Sequence, residues 1–249
     1  MNRRAFLRTV GASALRVGLF VGLLPSRWVL AAIENGGEAE KKRYGMGLDI
    51  DKCIGCGRCM EACKTENNVP REPFFFRTWV ERYVVKTDDT LIVQNIGVGP
   101  AQLEESINEW DTLRSFFVPK LCNQCEHPPC VQVCPVGATF STKEGVVIID
   151  AARCIGCGYC IQACPYGARY LRPDTRTADK CTLCYHRISK GLLPACVEVC
   201  PTQARVFGDL NSTASPLTRF KRMEKIHVLK PYLNTEPKVL YANLDGVVR

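Results

Sequence analysis

A chain of 249 residues is long enough for one large domain or two small ones, with a real core. Apolar residues at 46% and aromatics at 8% are ordinary for a globular protein, and the formal charge of +8 comes without a basic stripe interleaved with aromatics, which excludes a strand-binding surface for nucleic acid. Sixteen cysteines are not ordinary, and all of them fall into four tight groups, whereas a disulfide framework scatters them at varied spacings.

The segment from residue 1 to 32, MNRRAFLRTVGASALRVGLFVGLLPSRWVLAA, carries five arginines and no acid. Its apolar stretch, Thr9 to Leu24, is interrupted by Arg16 and is too short and too charged for a transmembrane helix. Arg3 and Arg4, followed by Phe6 and Leu7, resemble a twin-arginine export signal, with Asn2 for the usual Ser or Thr and Arg8 for the usual Lys. An uncleaved amphipathic membrane anchor is the other reading. Cleavage near Ala32 leaves residues 33–249 at about +3. No other stretch approaches about 18 apolar residues, so the mature chain is expected to be soluble or held to a membrane only through a partner.

Down the chain, YGMGLDID (44–51) reads as a strand leading into the first cysteine group, Cys53, Cys56, Cys59 and Cys63. Residues 65–118 form a β-rich insertion. In it, FFFRTWVERYVV and TLIVQNIGV predict a hairpin with TDD at its turn, SINEWDTLRSFF predicts a helix, and Trp79 and Trp110 read as core residues. The second group is Cys122, Cys125, Cys130 and Cys134. GVVIID (145–150) predicts a strand before the third group, Cys154, Cys157, Cys160 and Cys164, and the fourth is Cys181, Cys184, Cys196 and Cys200. After the last three groups, CPVGATF, CPYGARYL and CPTQARVF each predict a proline-ended turn and a short strand. The tail, 211–249, predicts a helix at 216–226 and then alternating residues expected to wrap the domain or a partner. The strand, cysteine loop, short helix and strand order occurs twice, which predicts an α+β fold of two fused bacterial two-cluster ferredoxin-like modules with an extended C-terminal tail.

CIGCGYCIQACP (154–165) has the spacing C-x2-C-x2-C-x3-C-P of bacterial iron–sulfur loops. Three sulfurs of such a loop converge on one cluster, while the fourth, one helical turn on, faces away and ligates the other cluster of a pair. Gly55, Gly57, Gly156 and Gly158 let the backbone approach without a Cβ clash, so that N–H groups can point at sulfide. Zinc is the rival metal, but structural zinc sites pair two distant C-x2-C knuckles, and here each group supplies four cysteines of its own. Such clusters have to be inserted before the chain meets an oxidising compartment, and the twin-arginine route carries folded proteins. Four clusters held by sixteen thiolates would bring the mature chain to roughly −5.

His127, His186 and His227 are isolated; the first two lie within cysteine loops, where each could hydrogen-bond a sulfur, face a partner or serve structure alone. Lys52, Arg58, Lys64, Arg153, Lys180 and Arg187 sit beside cysteines and either tune potentials or form solvated surface. No nucleophile elbow, phosphate loop or carboxylate pair stands out, so a self-contained enzyme is not expected.

From about Tyr44 to Val206, and most strongly in GVVIIDAARCIGCGYCIQACPYGARYL and ADKCTLCYHRISKGLLPACVEVCPTQARVFGDL, the chain resembles the four-cluster iron–sulfur (B-type) subunits of the dimethyl sulfoxide, polysulfide, thiosulfate and tetrathionate reductases, and their relatives in nitrite-reductase and sulfite-reducing complexes. The resemblance implies four [4Fe–4S] clusters with exchanged ligands. Cys53, Cys56, Cys59 and Cys200 hold one, and Cys181, Cys184, Cys196 and Cys63 the next. Cys122, Cys125, Cys130 and Cys164 hold a third, and Cys154, Cys157, Cys160 and Cys134 the last. Lys64 departs from the proline that often follows the last cysteine. The expected role is a periplasmic electron-transfer subunit at the outer face of the cytoplasmic membrane, passing single electrons between a membrane-embedded quinone-interacting subunit and a catalytic (molybdopterin) or cytochrome subunit. A freely diffusing polyferredoxin shuttle is the alternative.

Overall fold

Strand β1 (Tyr44–Asp49) is the centre of the fold, and two later segments close on it. In the computed structural model, which describes residues 41–72, 75–98 and 111–248, β1 pairs antiparallel with β9 (Arg205–Asp209) on one side and parallel with β11 (Val239–Ala242) on the other. β10 (Ile226–His227) extends this sheet, whose order is β10-β11-β1-β9. Met46, Leu48, Val239 and Tyr241 are buried in it. Five of the six residues of β1 are buried, Asp49 among them, so its apolar and small residues present no face to solvent. The tail therefore does not merely wrap the domain: β11 is a core strand, and helix α6 (Pro216–Met223), capped by the Ser215 hydroxyl, packs Leu217 and Phe220 against the same sheet.

A second sheet comes from the insertion. β2 (Thr78–Lys86) and β3 (Leu91–Asn95) form the expected hairpin, and β4 (Thr112–Leu121) covers the other edge of β2. The predicted helix SINEWDTLRSFF is corrected here: from Thr112 onward it is strand, while its first residues, with Trp110, lie outside the described residues, as does the export-signal segment. Pairing along the whole of β2, with Phe116 stacked on Tyr83, overrides the local helical pattern. Pro119 is tolerated because β4 is an edge strand. Its carbonyl accepts the Tyr241 hydroxyl at 3.1 Å, which ties the insertion to the tail.

Two small hairpins complete the frame. β5 (Thr139–Ser141) pairs with β6 (Val147–Ile149), and β7 (Arg169–Leu171) pairs with β8 (Ala178–Lys180). Each brings the exit from one cysteine group onto the entry to the next. Among the described residues no helix is long and apolar enough to cross a membrane.

Candidate metal centres

Each cysteine group wraps a loop of the same shape. The residue before the second cysteine is left-handed in all four: Gly55 (φ 68°), Gln124 (φ 48°), Gly156 (φ 70°) and Leu183 (φ 53°). At Gly156 a side chain is excluded as well, since a Cβ would stand 2.4 Å from the Arg176 carbonyl. Gln124 and Leu183 adopt this conformation at a cost of about 1–2 kcal/mol each. Gln124 offsets it by donating Nε2 to the Cys181 carbonyl and accepting the Val147 N–H, both at 2.8 Å; Leu183 does so by burial.

The third cysteine of each group rides on a short helix: α1 (Arg58–Glu66), which also carries Cys63, α2 (Pro129–Gln132), α3 (Tyr159–Gln162) and, in the fourth group, α5 (Ala195–Glu198), which follows α4 (Tyr185–Ile188); Cys134, Cys164 and Cys200 come just after their helices. Helix α1 packs on α5, and α2 packs on α3. The first group thus meets the fourth and the second meets the third, a nesting created by the β1–β9 and β5–β6 pairings.

Two cavities are each lined by cysteines of two different groups. One, with about 350 Å3 free of protein atoms, mouth included, is lined by Cys53, Cys56, Cys59 and Cys200, with Val80, Pro119 and Arg205. The other, about 310 Å3, is lined by Cys122, Cys125, Cys130 and Cys164, with Asn123, Tyr166 and Arg169. Around the buried sulfurs of Cys63, Cys181, Cys184 and Cys196, Asn67 Nδ2 lies 3.5 Å from both Cys63 Sγ and Cys184 Sγ. The Cys63 thiol is pushed well above its usual range by burial first and then by the nearby sulfurs of Cys181, Cys196 and Cys184. Cys160 packs beside Cys130, with Cys154 against the same cluster. Cys134 is held by its own loop, where the N–H groups of Thr139, Val136, Ala138 and Gly137 outweigh burial and lower its pKa.

The residues present fit cubane clusters. All sixteen cysteines are free thiols. Among the described residues no three His, Cys, Asp or Glu side chains converge closely enough for a single ion, whereas four cysteines line each of the two cavities. Burial raises Cys181 to about 12 and Cys125 and Cys196 to about 11, so these sulfurs need bound positive iron to be thiolates near neutrality. Buried donors also stand without partners: Arg205 Nη1, Arg169 Nε and Asn123 Nδ2, on residues that line the two cavities. Cluster sulfides are the acceptors such groups lack.

The positive charges nearest the sulfurs are mostly not those singled out in the sequence. Lys52 pairs with Asp49, Arg153 with Asp150, and Arg187 with Glu66 and Glu198, while Lys64 covers the Phe76 ring and Arg58 is exposed. Lys180 alone of that set is fully buried, donating Nζ to the Val147 and Cys181 carbonyls. His127 and His186 pair with Glu236 and Glu66. The residues missed were Arg169, whose Nη2 is 3.0 Å from Cys130 Sγ, and Arg205, whose Nη2 is 3.2 Å from Cys59 Sγ; both are buried. Asn67 was missed too. It is steered by Arg77, which bonds it at 2.9 Å and pairs with Asp179 at 2.8 Å. The available signal for the arginines was the repeated alanine–arginine five residues beyond the group in CPYGAR and CPTQAR.

This loop geometry defines a ferredoxin-like iron–sulfur protein. Two matches to the description "4Fe-4S dicluster domain" cover residues 49–138 and 113–210, and with sixteen cysteines these domains fit four [4Fe–4S] clusters. The chain is 39% identical over 246 residues to the B subunit of tetrathionate reductase from Salmonella typhimurium, covering 98% of this chain and 89% of that one. It is 46% identical over 221 residues to the tetrathionate reductase B subunit of Archaeoglobus fulgidus, covering 89% and 88%, and 37% identical over 199 residues to the B chain of polysulfide reductase from Wolinella succinogenes, covering 80% and 93%. The chain belongs to the family of iron–sulfur electron-transfer (B-type) subunits that these reductases share.

Proposed function

We propose that the chain relays single electrons through four [4Fe–4S] clusters, between a membrane quinone-interacting partner and a catalytic molybdopterin or haem subunit, at the periplasmic face of the cytoplasmic membrane. The ligand sets are Cys53, Cys56, Cys59 with Cys200; Cys181, Cys184, Cys196 with Cys63; Cys122, Cys125, Cys130 with Cys164; and Cys154, Cys157, Cys160 with Cys134. Bound clusters supply one-electron redox chemistry. The chain's own residues hold them at fixed spacing, exclude water and set their potentials.

The observation that carries this reading is where sulfur is exposed. Among the sixteen cysteines only Cys56 and Cys157 are exposed, one in each of two ligand sets, while the set of Cys63, Cys181, Cys184 and Cys196 is wholly buried. Beside Cys56 stands Ile54 at 59% exposure, and beside Cys157 stand Ile155 at 64% and Tyr159 at 59%. An interior set with no outlet and two outer sets with apolar-rimmed outlets is what a relay between two partners requires. The relatives named as reductase subunits weigh against a freely diffusing shuttle.

Export of the folded chain rests on the twin-arginine pattern at Arg3 and Arg4. The reading is tested by purifying the chain anaerobically from its source membrane. Iron and acid-labile sulfide at about four each per cluster, with a visible absorption that bleaches on reduction, support it. Co-purification with a multi-spanning membrane protein supports the subunit role. Stoichiometric zinc without that absorption would overturn it.

A further inference from the structure

The two buried arginines occupy equivalent places. Arg169 follows Cys164, and Arg205 follows Cys200, by the same interval in the sequence. Each donates to one cysteine sulfur and one threonine hydroxyl: Arg169 to Cys130 Sγ at 3.0 Å and Thr139 at 3.3 Å, Arg205 to Cys59 Sγ at 3.2 Å and Thr78 at 2.9 Å. Each also reaches a second ligand set. Cys59, which Arg205 touches, shares a buried cluster with Cys196, and helix α1 packs on α5; Cys130, which Arg169 touches, shares a buried cluster with Cys160. Each keeps one buried nitrogen without a protein partner, Arg205 Nη1 and Arg169 Nε. The equivalent position after the second group is Thr139, and the first group runs on into helix α1, so there is one such guanidinium per pair of ligand sets.

We infer, on the ligand sets proposed above, that Arg205 and Arg169 are shared counter-charges, each setting the reduction potentials of both clusters of its own pair. Arg205 serves the clusters of Cys53/Cys56/Cys59/Cys200 and Cys63/Cys181/Cys184/Cys196. Arg169 serves those of Cys122/Cys125/Cys130/Cys164 and Cys134/Cys154/Cys157/Cys160. Each reduction adds one electron, delivered by the redox partner, and one negative charge; no proton or bond changes hands. The guanidinium keeps its charge at any working pH, and at 3% and 5% exposure it is scarcely screened by solvent. It therefore favours the reduced form of both neighbours. Lys52, Arg153 and Arg187, whose charges are matched by carboxylates, contribute less.

The test is a potentiometric titration of the full chain with its clusters, read by electron paramagnetic resonance. Arg205→Gln lowers two of four midpoints by a factor of at least about ten in the reduction equilibrium, or 59 mV for one electron, and leaves two unmoved. Arg169→Gln lowers the complementary two. Should either Gln variant lose clusters, Arg→Lys at that position moves the same two midpoints in the same direction by less. Movement of a single midpoint, of all four alike, of none, or of the same two by both arginines overturns the assignment while leaving the relay intact. Fewer than four midpoints in the unsubstituted chain overturns both.

Discussion

Arg205 Nη2 lies 3.2 Å from the sulfur of Cys59, across 146 residues of chain. The contact exists because β9 returns to pair with β1, in the register Leu48 with Arg205, next to the loop that β1 feeds. The first and last cysteine groups are thereby one structural unit, with everything between them nested inside.

That nesting predicts an exchange of damage. Cys63→Ser sits on helix α1, yet its neighbours are Cys181, Cys184 and Cys196, so the cluster of the fourth group is expected to suffer first, with that of Cys53, Cys56 and Cys59 retained. Cys164→Ser likewise injures the cluster of Cys122, Cys125 and Cys130 before that of Cys154. Electron paramagnetic resonance of each reduced variant, with iron analysis, checks this; loss of the variant's own-loop cluster alone would show the exchange to be wrong.

Two neighbouring glycines should differ in cost. Gly158 is left-handed at φ 78° with open space around its Cβ position, so Gly158→Ala is expected to cost about 1–2 kcal/mol. Gly156→Ala adds a collision with the Arg176 carbonyl, which is backbone and cannot swing aside. It is expected to cost more and to bleach part of the cluster absorption. Thermal unfolding and visible spectra of the two variants provide the comparison, and equal effects would contradict the geometry.

The tail should be indispensable. Ending the chain after Thr235 removes β11, uncovers an edge of β1 and discards buried Val239, Leu240, Tyr241 and Ala242. We expect no stable cluster-loaded protein from that truncation. Tyr241→Phe is the mild counterpart: loss of the bond to the Pro119 carbonyl should cost about 1 kcal/mol, a fall of about 2–4 °C in Tm.

Empty and loaded chains should respond differently to alkali. Burial in the cluster-free fold raises Cys181 from 9.0 to about 12, favouring the neutral thiol. A raised folded pKa gives stability that is present below the unfolded value and lost as pH rises through the folded one, here from about 9 to about 12. The denaturant midpoint of the reduced, cluster-free chain should therefore fall between about pH 8 and about pH 10, while the loaded chain, its sulfurs already deprotonated by iron, should not share that fall.

The cysteine loops were legible in the sequence because their chemistry is local: spacing, glycine and proline define each turn within a dozen residues. The paired hairpin of the insertion, helix α6 and the strands after the last three groups were legible for the same reason. The strand at Thr112–Leu121 was not, since only pairing with β2 chooses strand over helix there. Nor were the roles of Arg169, Arg205 and Asn67, whose side chains find their partners 39, 146 and 117 residues away.

By itself the sequence determined that this is a thiolate-rich iron–sulfur protein of ferredoxin type, because ligand spacing is a property of consecutive residues. Only the tertiary structure decided which buried charges reach the sulfurs and which cysteines meet solvent. It decided too that the tail is core. Those are outcomes of strand pairing and burial between segments far apart in the chain, where a charge deprived of water acts most strongly on its neighbours.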